Sequence, residues 1–223
     1  MSINSKQSVK CPKCSHLNEV TVWSSITSDD SPDLKKDLLS AKINMFKCDN
    51  CSHIALLPNP LLYHDQSKKL MISFTPCNDE VKKAELFNEI KETSKKSDEL
   101  KNLIDYNLRF VTNYDTILEK ILIFDNGLND KVIEVLKVLI LTQEPQKAND
   151  RIAVFGKYEN DYIEFLIRDK KENQFYTSRV PFESYNTIKE QLAQSGVKYK
   201  SFDWEIVDLD YGASLLRGVN NIL

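Results

Sequence analysis

Four of the five cysteines form two CxxC pairs, and cysteines at this spacing are typical metal ligands. Each pair lies in the same short sequence, Lys-Cys-x-x-Cys-Ser-His, at residues 10–16 and again at residues 47–53. A CxxC turn directs two thiolates towards one point, so two such turns complete a tetrahedral shell and leave no position for water. The repeat therefore predicts one structural Zn²⁺, in preference to an iron–sulfur centre or a buried thiol cluster. The predicted ligands are Cys11, Cys14, Cys48 and Cys51.

The other residues that could do chemistry are one more cysteine and three histidines. Cys77 has no second cysteine near it, and we interpret it as a small, partly buried hydrophobic residue. His16 and His53 follow the two CxxC pairs, but four cysteines already fill the shell, so both are interpreted as turn residues. His64 and Asp65 are adjacent and could form an acid–base pair, although a structural role is favoured.

The composition is that of an ordinary soluble protein and excludes several classes of function. The chain has 223 residues, of which 41% are hydrophobic and 28% charged, and its formal net charge is -3. This mild acidity gives no general attraction for nucleic acid. Neither GxGxxG nor GxxxxGK[ST] occurs, so nucleotide-phosphate loops have no sequence support. The N-terminus lacks the apolar core of a signal peptide and no run of about 18 apolar residues occurs, so we expect a cytoplasmic protein without a membrane segment.

Short strands must position the cysteines, so the predicted fold class is α+β with an N-terminal zinc ribbon of short antiparallel strands. Ser31, Pro32 and Asp33 predict the start of a helix inserted between the two CxxC pairs. We expect a zinc-ribbon domain at 9–76, a helical segment at 77–143, and a small α+β unit at 151–223 after a polar linker. Strands are predicted at 17–23, 43–46, 53–57, 61–64, 70–74, 108–111, 152–158, 162–167, 175–180 and around 204, and helices from 79 and at 182–195.

An apolar helical hairpin is the most unusual feature outside the cysteines. Helices are predicted at 116–124 and 130–141, with a turn at Gly127 and an N-cap at Asn129 between them. Few polar residues interrupt the second helix, so it must be buried on several sides. It is either a central core helix or an interface with a second copy or another protein. Its polar residues are Lys131, Glu134 and Lys137.

The segment from Cys11 to Pro76 resembles the CpXC family of small bacterial and archaeal proteins, which are named for a Cys-Pro-x-Cys turn. The resemblance rests on Cys11-Pro12-Lys13-Cys14, on residues 43–48 with Cys51, and on Tyr63-His64-Asp65 before Lys68-Lys69. Residues 118–134 are similar to a region that often follows this domain. The second CxxC pair departs from the pattern, because Asp49 stands where proline is expected. The resemblance implies a zinc-ribbon-like domain and carries over no catalytic residue.

Three functional hypotheses follow, of which a non-catalytic interaction or adaptor protein leads. Its partner would be another protein or a second copy, bound through the apolar hairpin. The second hypothesis is a nucleic-acid-binding zinc ribbon, based on lysines and aromatic residues near the cysteines: Lys10, Lys13, Lys42, Lys47, Trp23, Phe46 and Tyr63. The third is a metal-dependent nuclease, although the solvent face of strands explains its acidic residues more simply. These acids are Asp161, Glu164, Asp203, Glu205 and Asp208.

Overall fold

The protein has a mixed α+β fold, as predicted, and forms two compact units. The computed structural model describes residues 1–97, 103, 105–200 and 203–218. Unit 1 comprises Met1–Leu118 with Phe202–Glu205, and unit 2 comprises Glu119–Ser201 with the residues from Ile206 onwards. None of the helices described is long and apolar enough to cross a membrane.

Unit 1 contains a six-stranded sheet and a separate two-stranded hairpin. Its strands are β1 (Ile3–Lys10), β2 (Leu17–Thr27), β3 (Met45–Lys47), β4 (Ile54–Leu56), β5 (Leu61–Asp65), β6 (Leu70–Phe74), β7 (Asn107–Val111) and β11 (Trp204–Glu205). The sheet has the order β1-β2-β5-β6-β7-β11, and β3 pairs with β4. Pairs β1/β2 and β5/β6 are antiparallel, and the other pairs of the sheet are parallel. Ile26, Tyr63 and Ile72 lie side by side across three strands and are 0% exposed, so this row belongs to the core.

The helix between the cysteine pairs is α1 (Pro32–Leu39), and its proline lies in the first turn as predicted. Ser31 occupies the N-cap position, but its side chain makes no capping hydrogen bond to the helix. Its hydroxyl accepts a hydrogen bond from the hydroxyl of Ser2 instead (3.1 Å). The next helix, α2 (Glu80–Lys96), begins at Asp79, whose carboxylate accepts a hydrogen bond from the backbone of Lys82 (2.7 Å).

The predicted helical hairpin is confirmed as α3 (Tyr114–Asp125) and α4 (Asp130–Thr142). Gly127 lies between the helices with φ +69°, a left-handed conformation that glycine adopts without strain. The side chain of Asn129 accepts a hydrogen bond from the backbone of Lys131 (3.0 Å), so the predicted N-cap is also present. The division between the two units lies inside α3, after Leu118.

Unit 2 contains a three-stranded antiparallel sheet and the helices that cover its inner face. The strands are β8 (Arg151–Glu159), β9 (Tyr162–Asp169) and β10 (Gln174–Pro181), with β9 in the centre. Two further helices are α5 (Phe182–Gln194) and α6 (Leu209–Gly218). Phe155, Phe165 and Ile163 from the sheet pack with residues of α4 and α5 in one apolar cluster. Within the described residues, β1 and α6 are the two long elements that the sequence did not predict.

Helix α4 is buried within unit 2, including the residues that were expected to be its polar stripe. Lys120 of α3 lies 3.2 Å from Asp130 and 2.9 Å from Glu134, and all three side chains are at most 4% exposed. Lys137 lies 3.1 Å from Glu134 and 2.7 Å from Glu119. Charges can be buried in this way only because each one has an opposite charge beside it. Five charged side chains of the hairpin therefore form an internal network in unit 2.

The polar linker predicted at 143–150 contains a 3-10 helix, Pro145–Asp150, and lies within unit 2. Glu144 forms an ion pair with Arg151 (2.9 Å), and Asp150 forms one with Lys171 (2.7 Å). The three-part division at 9–76, 77–143 and 151–223 stays a prediction about folding units, for which limited proteolysis is the test.

Candidate metal centre

The four predicted cysteine ligands lie in two turns that join neighbouring antiparallel strands. The first cysteine turn, residues 11–16, connects β1 to β2, and the second, residues 48–53, connects β3 to β4. Strand pairing therefore brings the two cysteines of each pair close together. Cys11 and Cys48 are buried, each 1% exposed, whereas Cys14 and Cys51 are partly exposed.

The two cysteine turns have the same backbone hydrogen bonds, as their repeated sequence suggests. The amide of Cys11 donates to the carbonyl of His16, and that of Cys48 to the carbonyl of His53, both at 2.9 Å. Ser15 and Ser52 donate back to the carbonyls of Cys11 and Cys48, also at 2.9 Å. Both serines have positive φ, 61° and 55°, which costs some energy in a residue with a side chain. The sequence repeat is thus a repeat of three-dimensional structure.

The four sulfur atoms fit a single metal ion. All four lie within 4.8 Å of one another. The Sγ atoms of Cys11 and Cys51 are 3.7 Å apart, and those of Cys14 and Cys48 are 3.5 Å apart. Sulfur ligands placed tetrahedrally at about 2.3 Å from a metal would be about 3.8 Å apart. Within the described part of the chain, this is the one cluster of at least three histidine, cysteine or acidic residues that could hold a metal ion.

Neighbouring groups shift the pKa values of Cys14 and Cys51 in opposite directions. The backbone of His16 and the side chain of Asn50 lower the pKa of Cys14 to about 6 by hydrogen bonding. The backbone of His53 acts in the same direction on Cys51, but burial and the thiols of Cys14 and Cys11 together raise the pKa of Cys51 to about 12. Thiolates crowded in one place repel each other, so full ionisation of the set requires a cation among them.

Asn18, which was not predicted as part of the site, connects the two cysteine turns. It is 4% exposed, and its amide nitrogen lies 2.9 Å from the carbonyl oxygen of His16 and 3.8 Å from the sulfur of Cys48. Its side-chain oxygen accepts a hydrogen bond from the backbone of Asp49 at 2.9 Å. Proline at position 49 would have no N–H to donate. The departure from the Cys-Pro-x-Cys pattern therefore supplies one of the hydrogen bonds between the two turns.

The remaining cysteine and the histidines lie outside the sulfur cluster. His16 is exposed and His53 partly exposed, and both contribute backbone carbonyls to the cysteine turns. The thiol of Cys77 lies 3.3 Å from the carbonyl oxygen of Asp79. These positions agree with the interpretation of the histidines as turn residues.

His64 and Asp65 do not form an acid–base pair, because successive side chains of β5 point to opposite faces of the sheet. His64 lies 3.1 Å from the hydroxyl of Tyr106, and burial lowers its pKa. Asp65 is 2% exposed and accepts hydrogen bonds from Tyr63 (3.1 Å) and Lys35 (3.0 Å). The Tyr63-His64-Asp65 sequence therefore joins helix α1 to the sheet.

The acids proposed for a nuclease have other roles in the fold. Glu205, in unit 1, pairs with the buried Arg109 at 2.9 Å. In unit 2, Glu164 pairs with Arg179 (3.0 Å), and Asp208 accepts a hydrogen bond from the backbone of Tyr211 (3.0 Å) near the start of α6. Asp161 accepts a hydrogen bond from the hydroxyl of Tyr158 at 3.5 Å, and Asp203 belongs to unit 1.

The residues proposed for nucleic-acid binding divide between surface and core. The four lysines are exposed, and Trp23 is half-buried. Phe46 and Tyr63 are 1% and 0% exposed, so neither ring can stack on a base. The exposed lysines are Lys10, Lys13, Lys42 and Lys47.

Comparison with known proteins identifies the family. The family model described as CpXC protein matches residues 9–137, more than half of the 223-residue chain. This span includes both cysteine turns, the Tyr63-His64-Asp65 sequence and the first part of the α3–α4 hairpin. No curated protein and no solved structure matches the chain. Because the match covers most of the chain and contains the four clustered cysteines, the protein belongs to the CpXC family.

Proposed function

We propose that the protein is a zinc-stabilised, non-catalytic interaction module in which Cys11, Cys14, Cys48 and Cys51 bind one structural Zn²⁺. The observation that carries this proposal is the convergence of four sulfur atoms from two equivalent turns within 4.8 Å. Sulfur ligands in tetrahedral arrangement are typical of zinc and of iron–sulfur sites, and paired CxxC turns are typical of structural zinc. A shell of four protein ligands also leaves no coordination position for a substrate or a water molecule.

A structural role is supported by what the metal would join. Strands β3 and β4 are three residues long each and form a sheet of their own, and an isolated two-stranded hairpin is marginal in water. The first cysteine turn belongs to the six-stranded sheet, and the second belongs to this short hairpin. Ligands from both turns would attach the hairpin to the sheet, as in a zinc ribbon.

The apolar residues of the predicted hairpin interface lie mostly in the core of unit 2. The hairpin predicted as the interface has its second helix buried in unit 2, where Val132, Ile133 and Val135 are 0% exposed. Only Val138 and Leu139 near the end of α4 are partly exposed apolar residues of that helix. Association through the hairpin therefore stays a prediction, and only this small exposed surface of α4 is available for it.

Metal analysis of the purified, reduced protein tests the zinc site. We expect one zinc per chain, and Cys48→Ser should lose most of it because three ligands bind zinc far more weakly than four. Cys77→Ser is the matched control, since this thiol lies outside the cluster, and it should retain one zinc. Iron in place of zinc, or an unchanged zinc content in Cys48→Ser, would contradict the proposal.

Affinity purification from the native host tests the interaction role. The eluate should be analysed for both proteins and nucleic acids. The exposed lysines are the reason that nucleic-acid binding stays the second hypothesis. A stoichiometric protein partner or a second copy of the chain supports the interaction module. Recovered nucleic acid that is lost when Lys13 and Lys47 are changed to Glu would favour the second hypothesis instead.

A further inference from the structure

Strand β10 forms an open edge of the three-stranded sheet in unit 2. Within the described residues it pairs with β9 alone, so the backbone groups on its other side have no strand partner there. Its pairing with β9 runs from Gln174 to Pro181 without a bulge. An edge of this length and regularity can accept another strand unless charges, bulges or proline prevent it. In β10 the only proline is the last residue, and the residues facing the core, Tyr176, Ser178 and Val180, are uncharged.

The opposite edge of the same sheet, strand β8, is protected against pairing with another strand by a bulge, which β10 lacks. Strand β8 has a register shift between Phe155 and Lys157, which contains Gly156. Charged side chains also lie at both ends of β8, Arg151 at the start and Glu159 at the end. A bulge with charges nearby is a usual means of preventing edge-to-edge pairing. The β8 edge is therefore protected by its bulge, whereas β10 has no bulge and one charged residue, Arg179.

The outer face of the sheet has several exposed apolar side chains at and near β10. Phe175 is 72% exposed, which is unusual for a side chain of this size. Leu166 of β9 and Val154 of β8, in a neighbouring row, are 49% and 37% exposed. The guanidinium of Arg168 lies 5.9 Å from the centre of the Phe175 ring, so this ring already interacts with a cation on one side.

We infer that β10 pairs antiparallel with β10 of a second copy, on a two-fold axis at Thr177, to form a continuous six-stranded sheet. Residues that face each other across an antiparallel pair lie on the same face of the sheet. A register centred on Thr177 places Phe175 opposite Arg179 of the second copy and Thr177 opposite itself. Arg179 is held by Glu164 at 3.0 Å and is exposed, so it is available to a second aromatic ring. The strand is thus self-complementary, with a cation opposite an aromatic ring at two symmetric positions.

This inference rests on the proposed interaction role and names the partner as a second copy of the chain. It also moves the contact away from α4, whose apolar residues are used inside unit 2. Pairing at an edge requires no helix to leave its core, so the folded unit can associate as it stands.

The test is analytical ultracentrifugation of the full chain over a wide range of concentrations. The wild type should form a concentration-dependent dimer. Thr177→Lys and Thr177→Glu should each raise the dimer Kd by about tenfold or more, because two like charges meet on the two-fold axis. An equimolar mixture of these two variants should dimerise again, since the opposed charges now attract. Circular dichroism on each variant checks that the monomer is folded.

Val154→Lys and Val154→Glu are the matched controls. Val154 and Thr177 flank the same residue, Leu166, and both are exposed on the same face, but Val154 lies on the protected edge. These controls should dimerise as the wild type does. A wild type that stays monomeric up to about 1 mM would overturn the inference, and so would Thr177 variants that dimerise normally. The wild type could instead be monomeric and still recover a stoichiometric protein from the host. That result would refute only the pairing through β10 and would leave the interaction role intact.

Discussion

Asp65 is a single buried carboxylate on which several elements of unit 1 depend. Its two oxygens accept hydrogen bonds from Tyr63 and Lys35 and, at 2.7 Å, from the hydroxyl of Ser67. Burial alone would raise the pKa of Asp65, but the hydrogen bonds from Ser67 and Lys35 lower it to about 2. The ionised form is therefore the one that the folded protein prefers.

This preference predicts a specific pH dependence. Because the folded pKa lies below the unfolded value of 3.8, the stabilisation is complete above pH 3.8 and is lost as pH falls towards 2. It should be worth about 2 kcal/mol at neutral pH. Urea unfolding of wild type and Asp65→Asn should show that difference at pH 7 and a shrinking difference below about pH 4. A difference that does not change with pH would mean that the charge of Asp65 is not what stabilises the fold.

Lys120 pairs with two buried carboxylates of unit 2, so its substitution should disrupt the buried ion network. Burial alone would lower its pKa, but the carboxylates of Glu134 and Asp130 raise the pKa of Lys120 to about 12. The lysine is therefore charged at every pH at which the protein is expected to work. Its removal would leave Asp130 with one cationic neighbour fewer inside the core.

We expect Lys120→Met to destabilise the protein by about 3–5 kcal/mol, which is the usual cost of removing one partner of a buried ion pair. Lys171→Met is the matched control, because the side chain of Lys171 is 75% exposed and pairs with Asp150 on the surface. That control should stay within about 0.5 kcal/mol of wild type in urea unfolding. Equal effects of the two substitutions would contradict the internal role of the network.

At the residue scale, the sequence predicted the four cysteines because ligand spacing within a turn is local information. It did not predict Asn18, whose partners Cys48 and Asp49 are about 30 positions away and meet it only after folding. The burial of Lys131, Glu134 and Lys137 was missed for a similar reason. Each of these charges looks like the solvent face of a helix until its partner on another turn or element is known.

Helix α6 shows how a whole element can depend on one glycine. A Cβ atom on Gly212 would lie 2.7 Å from the backbone carbonyl of Glu134 in α4, which is too close for any side chain. Helices α4 and α6 can approach this closely only because the position has no side chain. Among the residues that the structure describes, Gly218 at the end of the same helix has no such neighbour within 4 Å.

We therefore expect Gly212→Ala to destabilise unit 2 by about 1–3 kcal/mol, although alanine favours helix formation. Gly218→Ala should have little effect or stabilise slightly. Urea unfolding monitored by circular dichroism compares the two substitutions directly. If Gly212→Ala were the more stable variant, the close approach of α4 and α6 would be refuted.

At the element scale, prediction succeeded where a sequence pattern is strong and local. The α3–α4 hairpin, its Asn129 cap and the Gly127 turn follow from apolar periodicity and known capping residues. Strand β1 was missed because its residues are polar and exposed, so no alternation marks it. Helix α6 was missed because it contains two glycines, which lower helix propensity in any scheme that ignores packing.

For the whole molecule, the candidate metal site lies in one unit, and the apolar cluster with the buried ion network lies in the other. The four clustered cysteines belong to unit 1, and the charged network belongs to unit 2. The consequence of metal loss should therefore be unequal along the chain. Hydrogen exchange can show this because it reports protection separately for each strand.

We expect that a strong chelator, or Cys48→Ser, will abolish the exchange protection of β3 and β4 and reduce it at the adjoining ends of β1 and β2. The backbone amides of β8 and β9 should keep their protection, since no metal ligand lies in that sheet. Mass spectrometry of exchange with and without chelator is the measurement. Uniform loss of protection across both units would show that the chain folds as a single cooperative whole instead.

The hydrogen bond between Asp49 and Asn18 has a consequence for protein engineering. One way to stabilise the second cysteine turn would be to copy the proline of the first turn, Pro12, to the equivalent position 49. Proline 12 shows that the turn geometry tolerates that residue, yet at position 49 it would leave the buried oxygen of Asn18 without its donor. The substitution should therefore be harmful alone and neutral or beneficial only together with a change at Asn18. We therefore expect positions 18 and 49 to be epistatic, so that a design that treats them independently would select the wrong residue.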